Sequence, residues 1–118
     1  MTNYQRTKQY DLEDRTYEYA KAVIGLCKDI PKNSINFPLI DQVIKSSGSV
    51  GANYIEANEA ISRKDFFYRI KICLKEAKES RYWLSLISES NKIIDKAAKP
   101  LIQESTELVK IFSSIINR

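Results

Sequence analysis

The chain has no histidine. Ser–His and Cys–His nucleophile pairs are therefore excluded, as are the zinc and di-iron sites that use histidine. Cys27 and Cys73 are the only cysteines. Each falls on the apolar side of an expected helix, where a free thiol behaves as a small hydrophobe; a disulfide between them is not expected in a reducing compartment. Three glycines and three prolines in 118 residues exclude a linker-like or disordered chain. No apolar run approaches the ~20 residues of a bilayer span. Residues 1–9 are polar and lack the apolar core of a secretory signal. The expectation is a cytoplasmic protein with no membrane partner.

What is present favours helix: Ala, Leu, Ile, Lys and Glu are plentiful, in a chain long enough for one domain with a real core. The net charge of +4 is unevenly placed. Between Arg63 and Arg81 lie seven basic residues and three acids, so that segment carries the whole excess.

A first helix is predicted over 11–30. Asp11 stands at its cap and Asp14 in its first turn, where acids favour the positive helix start. Leu12, Tyr19, Val23, Leu26 and Ile30 form its apolar stripe, with Ala20 and Cys27 beside them. Pro31 ends it, because the residue before a proline is driven out of the helical region. A second helix is predicted over 38–61, opening at Pro38, with Val43, Ser47, Val50, Tyr54, Ala57 and Ile61 in alternating four- and three-residue steps. Ser62 caps a third helix over 63–89, with Asp65 answering three residues on. Phe66, Ile70, Cys73, Ala77, Ser80, Leu84 and Ile87 form its heptad seam. Residues 88–94 read as a loop. A fourth helix over 96–116 carries Leu101, Ser105, Leu108, Phe112 and Ile115, with Pro100 disturbing its first turns. The prediction is an all-α, antiparallel up-down-up-down four-helix bundle spanning 1–118.

The second helix holds an unusual run, Ser46-Ser47-Gly48-Ser49-Val50-Gly51-Ala52-Asn53. Each interior glycine costs a helix ~1 kcal/mol relative to alanine. Ile44, Gly48, Gly51 and Ile55 follow a 4-3-4 spacing, which puts both glycines on a stripe where another backbone can approach. Gly48, Gly51 and Ala52 are thus expected to serve close helix packing.

This run, followed by Glu56-Ala57, resembles the pattern of small bacterial four-helix bundle proteins encoded in 23S ribosomal RNA intervening sequences, once labelled S23 ribosomal proteins. Ser62, Asp65-Phe66, Ile70, Ile72, Leu74-Lys75-Glu76-Ala77, Glu79-Ser80 and Tyr82-Trp83-Leu84 also fall where a subgroup of that family has them, as does Asp11-Leu12-Glu13-Asp14-Arg15-Thr16. The resemblance covers roughly Tyr10 to Glu89; the fourth helix matches only as an amphipathic helix. It implies a bundle that assembles into a ring, commonly of five subunits. It also implies kinship with the accessory proteins of diversity-generating retroelements, which form a basic barrel that binds nucleic acid and the reverse transcriptase. This chain is less basic than those proteins.

Three groups of side chains are candidates for function. Lys64, Lys71, Lys75 and Lys78 form one stripe with Tyr68 and Tyr82 on the same line, and Arg81 adds a further base; such a face suits phosphate contact with tyrosines stacking on bases. The alternative is a solvated face with charges paired locally, Lys75 with Glu79 and Asp65 with Arg69. Tyr68, Ile72 and Trp83 are large residues off the main seam and are expected at a subunit contact, unless they finish the core. Glu56 and Glu59 on the second helix and Glu76 and Glu79 on the third resemble the paired ExxE layout of magnesium-dependent all-helical hydrolases; the competing expectation makes Glu56 a partly buried acid paired with a base near Asn53. The reading is a non-enzymatic homo-oligomer, without catalytic residues, metal or cofactor, that binds RNA or a nucleic-acid-handling protein. The alternatives are a protein-interaction scaffold and the four-glutamate hydrolase.

Overall fold

The structure, a computed structural model, describes residues 11–118; the polar stretch read above for a secretory signal lies outside them. Four α-helices follow one another among the described residues: α1 (Leu12–Lys28), α2 (Asn36–Asn58), α3 (Arg63–Ser90) and α4 (Asp95–Ile116), with a 3-10 turn at Lys92–Ile94 before α4. The contact of α2 with α3 is the most extensive, followed by α3 with α4 and α1 with α2; that of α1 with α4 is thinner. The predicted four-helix bundle is formed. No helix among the described residues is long and apolar enough to cross a membrane.

Helix ends differ from the expectation for local reasons. Asp11 holds the N-cap of α1 through its carbonyl, which accepts from the Arg15 N–H at 3.0 Å, rather than through a side-chain cap. α1 ends at Lys28, and the Lys32 ammonium donates to the Cys27 carbonyl at 2.8 Å, a cation placed at the negative helix end. α2 begins at Asn36, two residues before Pro38. The Asn33 side-chain carbonyl accepts from the backbone N–H of Ile35 and Asn36 at 3.1 and 2.8 Å and so starts the winding early. Pro38 then falls in the first turn, where a missing N–H has no intrahelical acceptor to lose. α2 stops at Asn58, and Ile61 is 97% exposed instead of joining the seam. The turn releases into Ser62, whose extended backbone and Oγ, accepting from the Asp65 N–H at 3.0 Å, make the predicted cap of α3. The loop expected over 88–94 is helical at its start, because α3 continues to Ser90, and Ile94 is buried. α4 carries Pro100 within it, on an exposed position.

The α3 seam is the centre of the core: Ile70, Cys73, Ala77, Ser80, Leu84 and Ile87 are all 0% exposed. Leu12, Tyr19, Val23, Leu26, Cys27 and Ile30 face them from α1 and its exit, Val43, Ser47, Val50 and Ala57 from α2, and Ser105, Leu108, Phe112 and Ile115 from α4. Tyr54 finishes the core, its ring 6.1 Å from that of Phe112. Both cysteines are free and buried. Burial pushes the Cys73 thiol up to about 12.

Polar groups inside the bundle are matched. The Ser80 hydroxyl donates to the Ala77 carbonyl at 3.0 Å, which leaves Tyr19 as donor in its 2.6 Å bond to Ser80 Oγ. Burial pushes the Tyr19 phenol up to about 12. Asn36 and Asn91 exchange amide hydrogen bonds at 2.8 and 3.0 Å, tying the start of α2 to the end of α3. Arg15 grips Glu104 with Nε and Nη2 at 2.7 and 2.9 Å, bridging α1 to α4 where their contact is thin.

Of the two stripe glycines, only Gly51 permits a close approach within the bundle. A Cβ there would stand 2.9 Å from Thr16 Oγ1 and 3.2 Å from Thr16 Cβ. Thr16 is itself buried and bonded to the Leu12 carbonyl, so it has little room to yield. Gly48 has nothing within 4 Å of a built Cβ, and Ala52 is exposed; neither packs closely against another helix of the same chain. Gly51→Ala is expected to lose about 1–3 kcal/mol of stability despite its better helix propensity, as measured by urea unfolding.

Candidate functional site

Because α3 buries one face, the opposite face meets solvent. Lys64, Lys71, Lys75 and Lys78 are exposed on it. Tyr68 and Tyr82, each 59% exposed, lie on the same line. At 1.5 Å per residue the lysines extend over about 21 Å. None of them has a carboxylate within 4.0 Å: the ion pairs among the described residues are Arg15–Glu104, Lys45–Asp41, Lys92–Glu89 and Lys110–Glu107. The expected local pairs, Lys75 with Glu79 and Asp65 with Arg69, are not made. Arg69 turns to α2 instead, donating to Asn53 Oδ1 at 3.3 Å, with its guanidinium 5.8 Å from the centre of the Tyr68 ring. Arg81 also leaves the stripe. It is half-buried, and its Nη1 reaches toward Thr106 Oγ1 on α4 at 3.5 Å. The exposed basic face therefore consists of the four lysines.

The four glutamates do not converge. Glu56, Glu59 and Glu79 are exposed and Glu76 is half-buried. No group of three or more His, Cys, Asp or Glu side chains among the described residues is placed to hold a metal ion, so the magnesium arrangement suggested by the ExxE spacing is not built. Glu56 is also not the partly buried, base-paired acid expected. Asn53 occupies the place facing α3, donating to the Ser49 carbonyl at 2.9 Å and accepting from Arg69. Glu76 is held above the usual carboxylate range, first by burial and then by Glu79 beside it, against the opposing pull of Lys75.

The large residues of α3 divide. Trp83 is half-buried and packs against the core, and Tyr82 sets its ring edge-on to it at 5.0 Å. Ile72 is half-buried, and Tyr68 is exposed. More apolar surface is bared on α1 and α2, where Tyr17, Ile24, Phe37, Ile44 and Ile55 are all exposed. The expectations from sequence passed over Tyr17 and Ile24; their seven-residue spacing off the main stripe of α1 was the available signal.

Residues 8–114 match the family model described as 23S rRNA-intervening sequence protein. Among solved structures, the chain is similar to the crystal structure of a protein with unknown function from the S23 ribosomal protein family of Bacteroides thetaiotaomicron VPI-5482. The two are 35% identical with a TM-score of 0.81, over 90% of this chain and 98% of that one. No curated protein matches the sequence.

The environment of Glu76 has a pH consequence. Its folded pKa is raised, so the fold disfavours the charged carboxylate, and the penalty is fully present above the folded pKa and absent below the unfolded one. Glu76→Gln is expected to melt higher than the wild type at pH 7, with the difference closing as the pH falls through the carboxylate range. Thermal unfolding across that range checks it.

Proposed function

Because the chain belongs to the family of 23S rRNA-intervening sequence proteins, we propose that it is a non-enzymatic, self-assembling helical scaffold that binds RNA through the outer face of α3. The observation that carries the reading is the set of four exposed lysines, Lys64, Lys71, Lys75 and Lys78, aligned on one rigid helix and in no ion pair among the described residues. Four exposed ammonium groups in a row fit a polyanion: a phosphate backbone meets them and releases its counterions. Tyr68 and Tyr82 lie on the same line and offer faces on which unpaired bases stack.

Phosphate contacts position a nucleic acid without reading its sequence. The reading therefore assigns RNA holding rather than recognition of a sequence. One stripe of four lysines is a modest site. Self-assembly multiplies it, because contacts made by linked copies act at high effective concentration.

Fluorescence anisotropy of a labelled structured RNA tests the reading, with wild type and a Lys71→Glu/Lys75→Glu/Lys78→Glu variant. Wild-type affinity is expected to fall on the order of 100-fold between about 50 and about 200 mM salt, and the variant to lose binding. Absence of wild-type binding at low salt sinks RNA binding and leaves a scaffold for protein partners.

A further inference from the structure

The lysine row of α3 is framed by aromatic rings. Tyr68 precedes Lys71, Lys75 and Lys78, and Tyr82 follows them. At 1.5 Å per residue the three lysines stand about 4.5, 10.5 and 15 Å beyond Tyr68, and Tyr82 stands about 21 Å beyond it. Both tyrosines are 59% exposed. The Arg69 guanidinium lies 5.8 Å from the centre of the Tyr68 ring. The Trp83 ring stands at 79° to that of Tyr82 and so is not stacked on it. The acids of this segment, Asp65, Glu76 and Glu79, fall by helical spacing on the flank where Arg69 turns to α2. The row itself holds no carboxylate.

Two features of this row separate unpaired from paired RNA. The row is straight, because it runs along one helix. A strand of a duplex winds round its axis and leaves a straight row after a few phosphates, whereas an unpaired strand is free to follow it. The rings also need base faces. In a duplex those faces are covered by stacked neighbours, and unpaired bases are the ones that stack on aromatic side chains. At about 3.4 Å per nucleotide along one strand, 21 Å corresponds to about six nucleotides. That length falls within the roughly 4–16 nucleotides of a small single-strand site.

We propose that the outer face of α3 takes a single-stranded RNA segment of about six nucleotides, with phosphates on Lys71, Lys75 and Lys78 and one base stacked on each of Tyr68 and Tyr82. Lys64, one turn before Tyr68, meets a phosphate beyond the first stacked base. Every base has a face to stack, so the site selects unpaired strand over duplex rather than one sequence over another. The inference rests on the RNA reading above and narrows it. Charge alone favours the duplex, which carries two phosphates for each base pair; a preference for the single strand therefore comes from the rings.

The test compares, by fluorescence anisotropy at about 50 mM salt, a labelled oligouridylate of about 12 nucleotides with a perfect RNA duplex of equal strand length. The chains are the wild type, Tyr68→Ala, Tyr82→Ala, Tyr68→Phe and Tyr82→Phe, with helix content checked by circular dichroism. Both tyrosines are exposed and alanine has the better helix propensity, so the fold is retained. The wild type is expected to bind the single strand at least about ten-fold more tightly than the duplex. Each alanine is expected to weaken single-strand binding about ten-fold and to leave duplex binding unchanged. Each phenylalanine keeps the ring and keeps the affinity. A wild type that binds the duplex as tightly as the single strand, or more tightly, overturns the proposal and leaves the RNA reading standing. A single-strand preference that survives both alanine variants overturns the role of the rings. Binding of neither RNA at low salt overturns the proposal together with the RNA reading.

Discussion

One-sided burial of α3 is the constraint on which the other features depend. Its seam residues have no solvent exposure, and each fully buried aliphatic side chain contributes about 1.5–3 kcal/mol. Rotating the helix would expose several of them together, so the orientation of α3 has no inexpensive alternative. The opposite face is thereby committed to solvent along the length of a 28-residue helix. Lys64, Lys71, Lys75 and Lys78 occur at helical spacing on that face, so their alignment follows from the same packing that forms the core. A charged row on a rigid rod differs from the same charges on a loop, since the backbone is already ordered and only side-chain freedom is lost when it meets a ligand.

The core that holds α3 in place is not purely apolar. Serines at 46, 47, 80, 88 and 105 and Thr16 are buried, and several return their hydroxyl to a carbonyl of the preceding turn. Small side chains of this kind let helices approach while leaving no unmatched donor. Longer-range polar links then select which helix faces which. Tyr19 meets Ser80, Asn36 meets Asn91, and Arg15 grips Glu104. These bonds join α1 to α3, α2 to α3 and α1 to α4, and a shift of register would leave buried polar groups without partners, at a cost of roughly 1–3 kcal/mol each.

The exposed lysines and the exposed apolar side chains lie on different helices. The lysine row belongs to α3, and the apolar flank belongs to α1 and α2. Like charges on the α3 face discourage association of two such faces.

Helix number, the α3 seam, the Ser62 cap and the lysine row were legible in the amino-acid order, because each rests on spacing within one helix and on the chemistry of neighbouring residues. Membership of a family was legible for the same reason, in the run from Ser46 to Ala57 and its continuation on the third helix. Which partners each side chain takes was not. Arg69 and Arg81 carry the same charge as the lysines of their helix, yet both turn to neighbouring helices, toward Asn53 and Thr106. Glu56 and Glu76 share the ExxE spacing with their helix partners, yet one is exposed and the other is half-buried beside a like charge. Gly48 and Gly51 stand on one stripe, but only Gly51 meets Thr16. Periodicity names the side of a helix and cannot tell what stands against it, because that depends on how neighbouring helices cross and in which register. Local order determined the elements and their faces; only the packing of the four helices decided which of those faces were left for a partner.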